Sequence, residues 1–171
     1  MYLNFFQIVP SILPLHEELK EGCTISVHGY AKHGHHENFA VELLANPNIT
    51  LHIEFRFHFE QVVVMNSQYS GIWGSEMQSR NPLQPSEIFH LNIRVHKEHF
   101  HISVNGHHVA NFPHRFPFSH ISEIGLKGAV HIEKVNFEGF HSQEHTVLQG
   151  AFPGYKAVFG ESNNFTSNRY L

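Results

Sequence analysis

Polar and apolar residues alternate along most of the 171-residue chain. Over residues 89–95 and 100–104, Phe, Leu, Ile and Val take every second position, and polar residues rich in His take the positions between them. This period of two predicts strands with one face in the core and the other in water. Asn105-Gly106 supplies the two positive φ angles of a tight hairpin turn. Because no segment of about a dozen residues keeps a period of 3.6, we expect little helix.

Further alternating segments are bounded by Pro, Gly, Asn and Ser at the spacing of a two-sheet sandwich. They cover residues 23–31, 38–45, 49–58, 61–67, 107–113, 121–127 and 129–140. The pattern predicts an all-β fold, a sandwich of two antiparallel sheets. The alternation is lost after Phe140, so we expect a domain over residues 1–141 and a C-terminal extension over residues 142–171. That extension would lie across the sandwich and cover an edge strand.

Composition removes several functional classes. With 41% hydrophobic and 15% charged residues, the chain is neither disordered nor membrane-inserted, and no run approaches the ~20 apolar residues of a spanning helix. The 11 Lys and Arg are scattered and the net charge is -4, so we expect no nucleic-acid partner. No basic residue precedes Lys20, which argues against a signal peptide. We therefore expect a cytoplasmic protein, with export by a non-classical route as the alternative location.

All 15 acidic residues are Glu, which excludes EF-hand loops, aspartic dyads and a Ser-His-Asp triad. The single cysteine, Cys23, opens an alternating segment and is interpreted as a buried small hydrophobic residue. The 18 histidines include dense groups that invite a metal interpretation. These groups are His33-Gly34-His35-His36, His99 with His101, and His107 with His108. Because a metal site needs three convergent ligands, we interpret them as solvated strand positions and expect no metal and no cofactor.

One segment, Leu51–Phe59, carries candidate chemistry. Alternation places His52, Glu54, Arg56 and His58 on one face and turns Ile53, Phe55, Phe57 and Phe59 inward. Asn66 and the segment Gly71-Ile72-Trp73-Gly74-Ser75-Glu76 follow, and Trp73 is the only tryptophan. An exposed aromatic ring beside hydrogen-bonding side chains suits a pyranose, whose apolar face packs on the ring. From spacing alone, the alternative is that Trp73 belongs to the core and the polar face is merely solvated.

The order of motifs along the chain resembles the galectin family from about Phe6 to Phe140. The motifs are Ile12-Leu13-Pro14, Leu19-x-x-Gly22, Ile25-x-Val27-x-Gly29, His52-x-Glu54-x-Arg56, Val64-Met65-Asn66-Ser67, Trp73-Gly74-x-Glu76, Val104-Asn105-Gly106 and Phe112-x-His114-Arg115. The resemblance implies a jelly-roll-like sandwich of five- and six-stranded sheets that binds β-galactosides in a concave groove. It also implies that His52 and Arg56 bind the axial 4-hydroxyl of galactose, Asn66 and Glu76 bind the 6-hydroxyl, and Trp73 stacks on the sugar.

Two positions depart from the galectin pattern. Glu54 stands where the family has Asn, and Gln78 stands where the family has Arg. Glutamate accepts but does not donate hydrogen bonds, and its length lets it fold back onto Arg56. Gln78 removes a positive charge beside Glu76. The predicted carbohydrate site is therefore His52, Glu54, Arg56, Asn66, Trp73, Glu76 and Gln78, with weakened lactose binding.

Two other functions stay open. The galectin fold could serve as a protein interaction or structural module that has lost galactoside binding. A glycosidase using Glu54 and Glu76 is disfavoured, because Arg56 between them would keep both ionised and leave no general acid. We therefore expect no enzyme activity. The expected partners are β-galactoside glycans or glycoproteins, and whether the chain forms a homodimer is left open.

Overall fold

The computed structural model describes residues 11–32 and 38–139, together with the backbone of residues 146–149. The described chain forms two antiparallel sheets, as the alternation predicts. The strands are β1 Ser11–Pro14, β2 Thr24–Ala31, β3 Phe39–Ala45, β4 Asn48–Phe55, β5 Val62–Tyr69, β6 Ile72–Trp73, β7 Met77–Arg80, β8 Ile88–Val95, β9 His99–Val104, β10 His107–Pro113, β11 Glu123–Gly128, β12 Val130–Glu138 and β13 Thr146–Gln149. Helix in the described ranges is confined to a 3-10 turn at Phe118–His120, which cannot cross a membrane.

One sheet has seven strands in the order β1-β11-β3-β4-β5-β6, with β7 also pairing with β5. The other has six strands in the order β10-β9-β8-β2-β12-β13. The resemblance implied sheets of five and six strands, whereas the described chain has sheets of six and seven. The physical reason is that β6 and β7 both pair with one strand, and β13 adds a strand beyond β12.

The core lies between the inner faces of the two sheets. Phe39 and Phe55 face each other across β3 and β4, with ring centroids 4.7 Å apart. Phe89 of the six-stranded sheet stacks on Phe39 at 5.1 Å, so this contact joins the two sheets. All three rings are buried, and aromatic pairs of this kind add about 0.5–1.5 kcal/mol beyond their buried area. Cys23 is also buried, which confirms its interpretation as a core residue.

The nine predicted strands correspond to β2–β5 and β8–β12. One inward residue is wrong: β4 ends at Phe55, and Phe59 is 85% exposed. The chain turns here because the Gln61 side chain donates to the Phe57 carbonyl at 2.7 Å. Gln61 itself has a φ of 47°, which strand geometry excludes. The turn prediction at Asn105-Gly106 is confirmed by φ angles of 50° and 80°.

Beyond residue 139, the described part of the chain is β13. Its backbone pairs with the outer edge of β12, from Lys134 opposite Gln149 to Phe137 opposite Thr146. The rest of the extension at residues 142–171 lies outside the described residues, as do His33, His35 and His36. The boundary at residue 141 stays a prediction.

Candidate functional site

Strand register places the predicted polar residues in two rows on the outer face of the seven-stranded sheet. Side chains directly opposite each other on neighbouring strands share a face. In the first row, Glu42 of β3 lies opposite His52 of β4, which lies opposite Asn66 of β5. In the second row, Glu54 of β4 and Gln78 of β7 both lie opposite Val64. Four of the seven predicted site residues therefore share one face.

The residues of the first row are buried, and Glu42 and His52 are held in place by hydrogen bonds to the Glu42 carboxylate. Glu42 is 5% exposed, and its carboxylate lies 2.6 Å from Nδ1 of His52 and 3.1 Å from Nζ of Lys127. Burial raises the pKa of Glu42, but the hydrogen bonds from His52 and Lys127 outweigh it and hold the pKa below its usual value. Because a carboxylate only accepts, Nδ1 of His52 carries the hydrogen. Nε2 is then the ring nitrogen that can bind a ligand.

Trp73 lies beside this row. Its register with Gln68 places it on β6, at the edge of β5. The indole is 44% exposed and meets the His52 ring edge-on, with centroids 4.9 Å apart. Trp73 is therefore a surface ring next to a fixed imidazole, and the alternative that it belongs to the core is wrong.

Asn66 and Arg115 fix the loop that carries Trp73 and Glu76. The Asn66 amide donates to the Gly74 carbonyl at 2.9 Å, and its oxygen accepts from Nη1 of Arg115 at 2.9 Å. Nη2 of Arg115 also donates to the Ser75 carbonyl at 2.6 Å. A Cβ at position 74 would come within 2.9 Å of Nη1 of Arg115, so any larger residue there would displace the guanidinium. Asn66 thus binds the loop to β5 directly, and Arg115 links the two indirectly.

The second row is more exposed than the first. Its one charged residue, Glu54, is paired with Arg56, which follows the end of β4. Nε of Arg56 donates to Glu54 at 2.8 Å, and Nη1 donates to Glu60 at 2.9 Å. The hydrogen bonds that Arg56 donates to Glu60 and Glu54 raise the pKa of Arg56. The predicted contact between Glu54 and Arg56 is therefore confirmed. The amide of Gln78 donates to Glu76 at 3.1 Å, and both side chains are exposed.

The structure adds three residues that the site prediction omitted. Glu42 orients His52, Lys127 holds the Glu42 carboxylate, and Arg115 orients Asn66 and the loop. A lone glutamate inside the apolar segment Phe39–Leu44 was a usable signal for Glu42, since unpaired charges are rarely buried. His58, predicted on the polar face, lies beyond the end of β4 and is exposed.

Comparison with known proteins gives a consistent result. A family model described as Galactoside-binding lectin matches residues 10–137. The Caenorhabditis elegans protein named Probable galaptin lec-8 is 48% identical over 132 residues, which cover 77% of this chain and 73% of that protein. Probable galaptin lec-7 from the same organism is 40% identical, covering 82% of this chain and 78% of that protein. The crystal structure of Caenorhabditis elegans galectin LEC-6 matches with a TM-score of 0.72 at 27% identity, covering 79% of this chain and 94% of that chain.

Proposed function

The chain belongs to the galectin family of lectins, and from this we propose that the outer face of the seven-stranded sheet binds a β-galactoside beside His52 and Trp73. One observation carries the proposal. A buried carboxylate, Glu42, orients the His52 imidazole at 2.6 Å, and the exposed Trp73 ring lies 4.9 Å from that imidazole. A fixed acceptor beside a flat apolar ring is complementary to a sugar with one axial hydroxyl.

Residues of the first row and of the loop beside it then bind defined groups of the sugar. Nε2 of His52 accepts a hydrogen bond from the axial 4-hydroxyl, and Trp73 packs on the apolar face of the galactose ring. The Asn66 amide has two hydrogens, of which one binds the Gly74 carbonyl. The second hydrogen donates to the 6-hydroxyl, and Glu76 accepts from the same hydroxyl.

Arg56, next to the second row, determines the affinity for the sugar. Arg56 would reach the 4-hydroxyl, but its guanidinium already donates to Glu54 and Glu60. These charge-assisted hydrogen bonds use two of the five N–H donors and fix the orientation of the guanidinium, so a sugar hydroxyl can be bound only by the remaining donors in that orientation. We therefore propose that selectivity for galactose comes from His52 and Trp73, and that affinity for lactose is weak.

Titration calorimetry with lactose and cellobiose tests this proposal. The two disaccharides differ only in the configuration of the 4-hydroxyl on the non-reducing ring. We expect lactose to bind, cellobiose to bind at least tenfold more weakly, and His52→Ala to abolish the difference. The matched control is His107→Ala, an exposed histidine on the other sheet, which should behave like the unmodified protein. Equal affinity for both sugars, or no binding to either, would overturn the proposal.

We expect no hydrolysis of lactose. A glycosidase needs one protonated carboxyl group, whereas Glu54 accepts a hydrogen bond from Arg56 as a carboxylate. Glucose released from lactose during the titration would contradict this expectation.

The second candidate function is a protein interaction module with no galactoside binding. The paired guanidinium of Arg56 favours it, as do two exposed apolar side chains near Trp73. These are Tyr69 and Ile72, which are 57% and 74% exposed. Lactose separates the two functions, because it would displace a glycan ligand from the site and leave a protein partner bound.

A further inference from the structure

Three histidines converge on the outer face of the six-stranded sheet, at the hairpin between β8 and β9. His96 and His99 flank the two-residue turn, and the His96 amide donates to the His99 carbonyl at 2.9 Å. His101 lies two residues further along β9, opposite Arg94. Residues that are paired across strands or two apart along a strand share a face. The hairpin therefore presents all three imidazoles on one side.

The distances within this cluster fit metal binding. One nitrogen from each ring lies within 4.8 Å of the nitrogens of the other two, and all three side chains are half-buried. The His96 and His99 rings are stacked, with centroids 4.9 Å apart. In a tetrahedral zinc site with Zn–N bonds of about 2.0–2.1 Å, ligand nitrogens lie roughly 3.4 Å apart. Small rotations of half-exposed side chains are enough to close the remaining distance.

The surroundings supply a fourth donor and mixed charges. The His108 ring of β10 lies 4.7 Å from the His101 ring. Arg94 repels a cation near His96, whereas Glu21 attracts one. The turn itself adds Lys97 and Glu98, which are both exposed and cancel in charge. The net field around the cluster therefore does not oppose a divalent cation strongly.

We propose that His96, His99 and His101 bind Zn²⁺, with water or His108 as the fourth ligand. Imidazole nitrogen suits zinc, and three histidines with one open position form a known type of zinc coordination. The sequence motifs offered only pairs of histidines here, and the hairpin turn supplies the third ligand. The bound ion would stabilise the turn between β8 and β9. The ion would lie on the outer face of the six-stranded sheet, whereas the proposed sugar site lies on the outer face of the seven-stranded sheet. We therefore expect zinc binding and sugar binding to be independent.

Zinc titration of the full-length, tag-free protein at about pH 7.5 tests the site, since neutral imidazole is the metal-binding form. We expect one site whose affinity falls at least tenfold in His99→Ala and in His101→Gln, because removing even an outer-shell partner costs about 10–100-fold. Two control variants should keep the zinc affinity within about twofold of the unmodified protein. They are His107→Ala, and the double variant His35→Ala with His36→Ala, which removes a second histidine-rich segment.

A second measurement needs no variant. Bound Co²⁺ should give the visible absorption bands of tetrahedral coordination, and paramagnetic broadening should select the resonances of His96, His99 and His101. EDTA should reverse both signals and leave lactose affinity unchanged. Equal zinc affinity in the cluster variants and the controls, or broadening that selects other histidines, would overturn the proposal.

Discussion

The outer faces of the two sheets arise from the same alternation of residues, yet their buried polar groups are treated differently. On the seven-stranded sheet, Glu42, His52 and Asn66 are each hydrogen-bonded. On the six-stranded sheet, His28 and His90 stack at 3.8 Å, and neither buried Nε2 has a hydrogen-bond partner among the described residues. Alternation thus shows which side of a strand is polar and does not show whether the polar groups are paired. Pairing distinguishes the hydrogen-bonded row of Glu42, His52 and Asn66 from the His28–His90 pair, whose protonation is opposed by burial.

The pKa values follow this difference. Burial, His90 and Lys134 lower the pKa of His28 to about 4. Burial and Lys134 also lower the pKa of His90. On the other face, hydrogen bonds keep the pKa of Glu42 below its usual value in spite of burial. Acid therefore affects the two faces in different pH ranges.

The largest expected effect concerns sugar binding on the seven-stranded sheet. Trp73→Ala removes the stacking ring, and by analogy with stacking on other flat ligands should cost about 1–3 kcal/mol of binding free energy. Because the indole is 44% exposed, the free energy of unfolding should change little. Calorimetry and urea unfolding measure the two quantities. The matched control is Ile88→Ala, an exposed apolar residue on the other sheet, which should leave both unchanged. Unfolding of Trp73→Ala would contradict a surface role.

Glu42→Gln should affect both binding and stability. The variant cannot accept charge-assisted hydrogen bonds from both His52 and Lys127, so we expect a loss of about 1–3 kcal/mol in the free energy of unfolding. Lactose affinity should fall about tenfold, since a misoriented His52 loses roughly one hydrogen bond to the sugar. Glu133→Gln, an exposed glutamate, is the control.

The pH profile of Glu42→Gln adds a test of mechanism. Because the folded pKa of Glu42 lies below its usual value of 4.5, its stabilisation is complete above pH 4.5 and is lost as the pH falls through the folded pKa. The Gln variant should lack this loss. An unchanged acid slope would show that Glu42 is not the titrating group.

His28→Asn should flatten the acid dependence of stability without affecting sugar binding. The unfolded imidazole takes up a proton near pH 6.5, and the folded one only near pH 4. Protonation therefore favours the unfolded state, and stability is full above pH 6.5 and falls towards pH 4. Urea unfolding at the two ends of this range measures the slope. His107→Asn should keep the original slope, and a smaller slope there would show that exposed histidines cause the effect.

The smallest expected effect is a gain. Glu54→Asn removes one of the two carboxylates that hold Arg56, and Gln78→Arg gives Glu76 a charged partner. The double variant should bind lactose a few-fold more tightly, and the gain should exceed the sum of the single changes because the released Arg56 and the new guanidinium at position 78 would bind the same sugar. Calorimetry on the four proteins of the cycle measures the coupling. Purely additive effects would show that the two departures act separately.

The nine strands predicted from sequence all have a buried face, whereas the four-residue strands β1 and β13 were missed. β6 and β7 were missed because their two and four residues are mostly exposed and leave no core pattern. Within the site, His52, Glu54 and Arg56 follow from alternation along one strand. Asn66 and Glu76 were singled out from the polar residues around Trp73, whereas Gln78 required the family resemblance. The apolar surroundings of Glu42 marked it as unusual, but its pairing with His52 depends on register across β3 and β4, which no local pattern specifies.

The glycine at position 74 makes the tolerance of the site to sequence change uneven. One added carbon atom there would press on Arg115 and Asn66, and so would disturb the loop beneath the indole. Positions 54 and 78 have no such restriction, because Glu54 is partly exposed beside the flexible Arg56 and Gln78 is exposed. Under the proposed function, substitutions at these two positions would alter sugar affinity while the aromatic ring stays in place. The proposed site would then have one half that tolerates little sequence change and another half that can change one residue at a time.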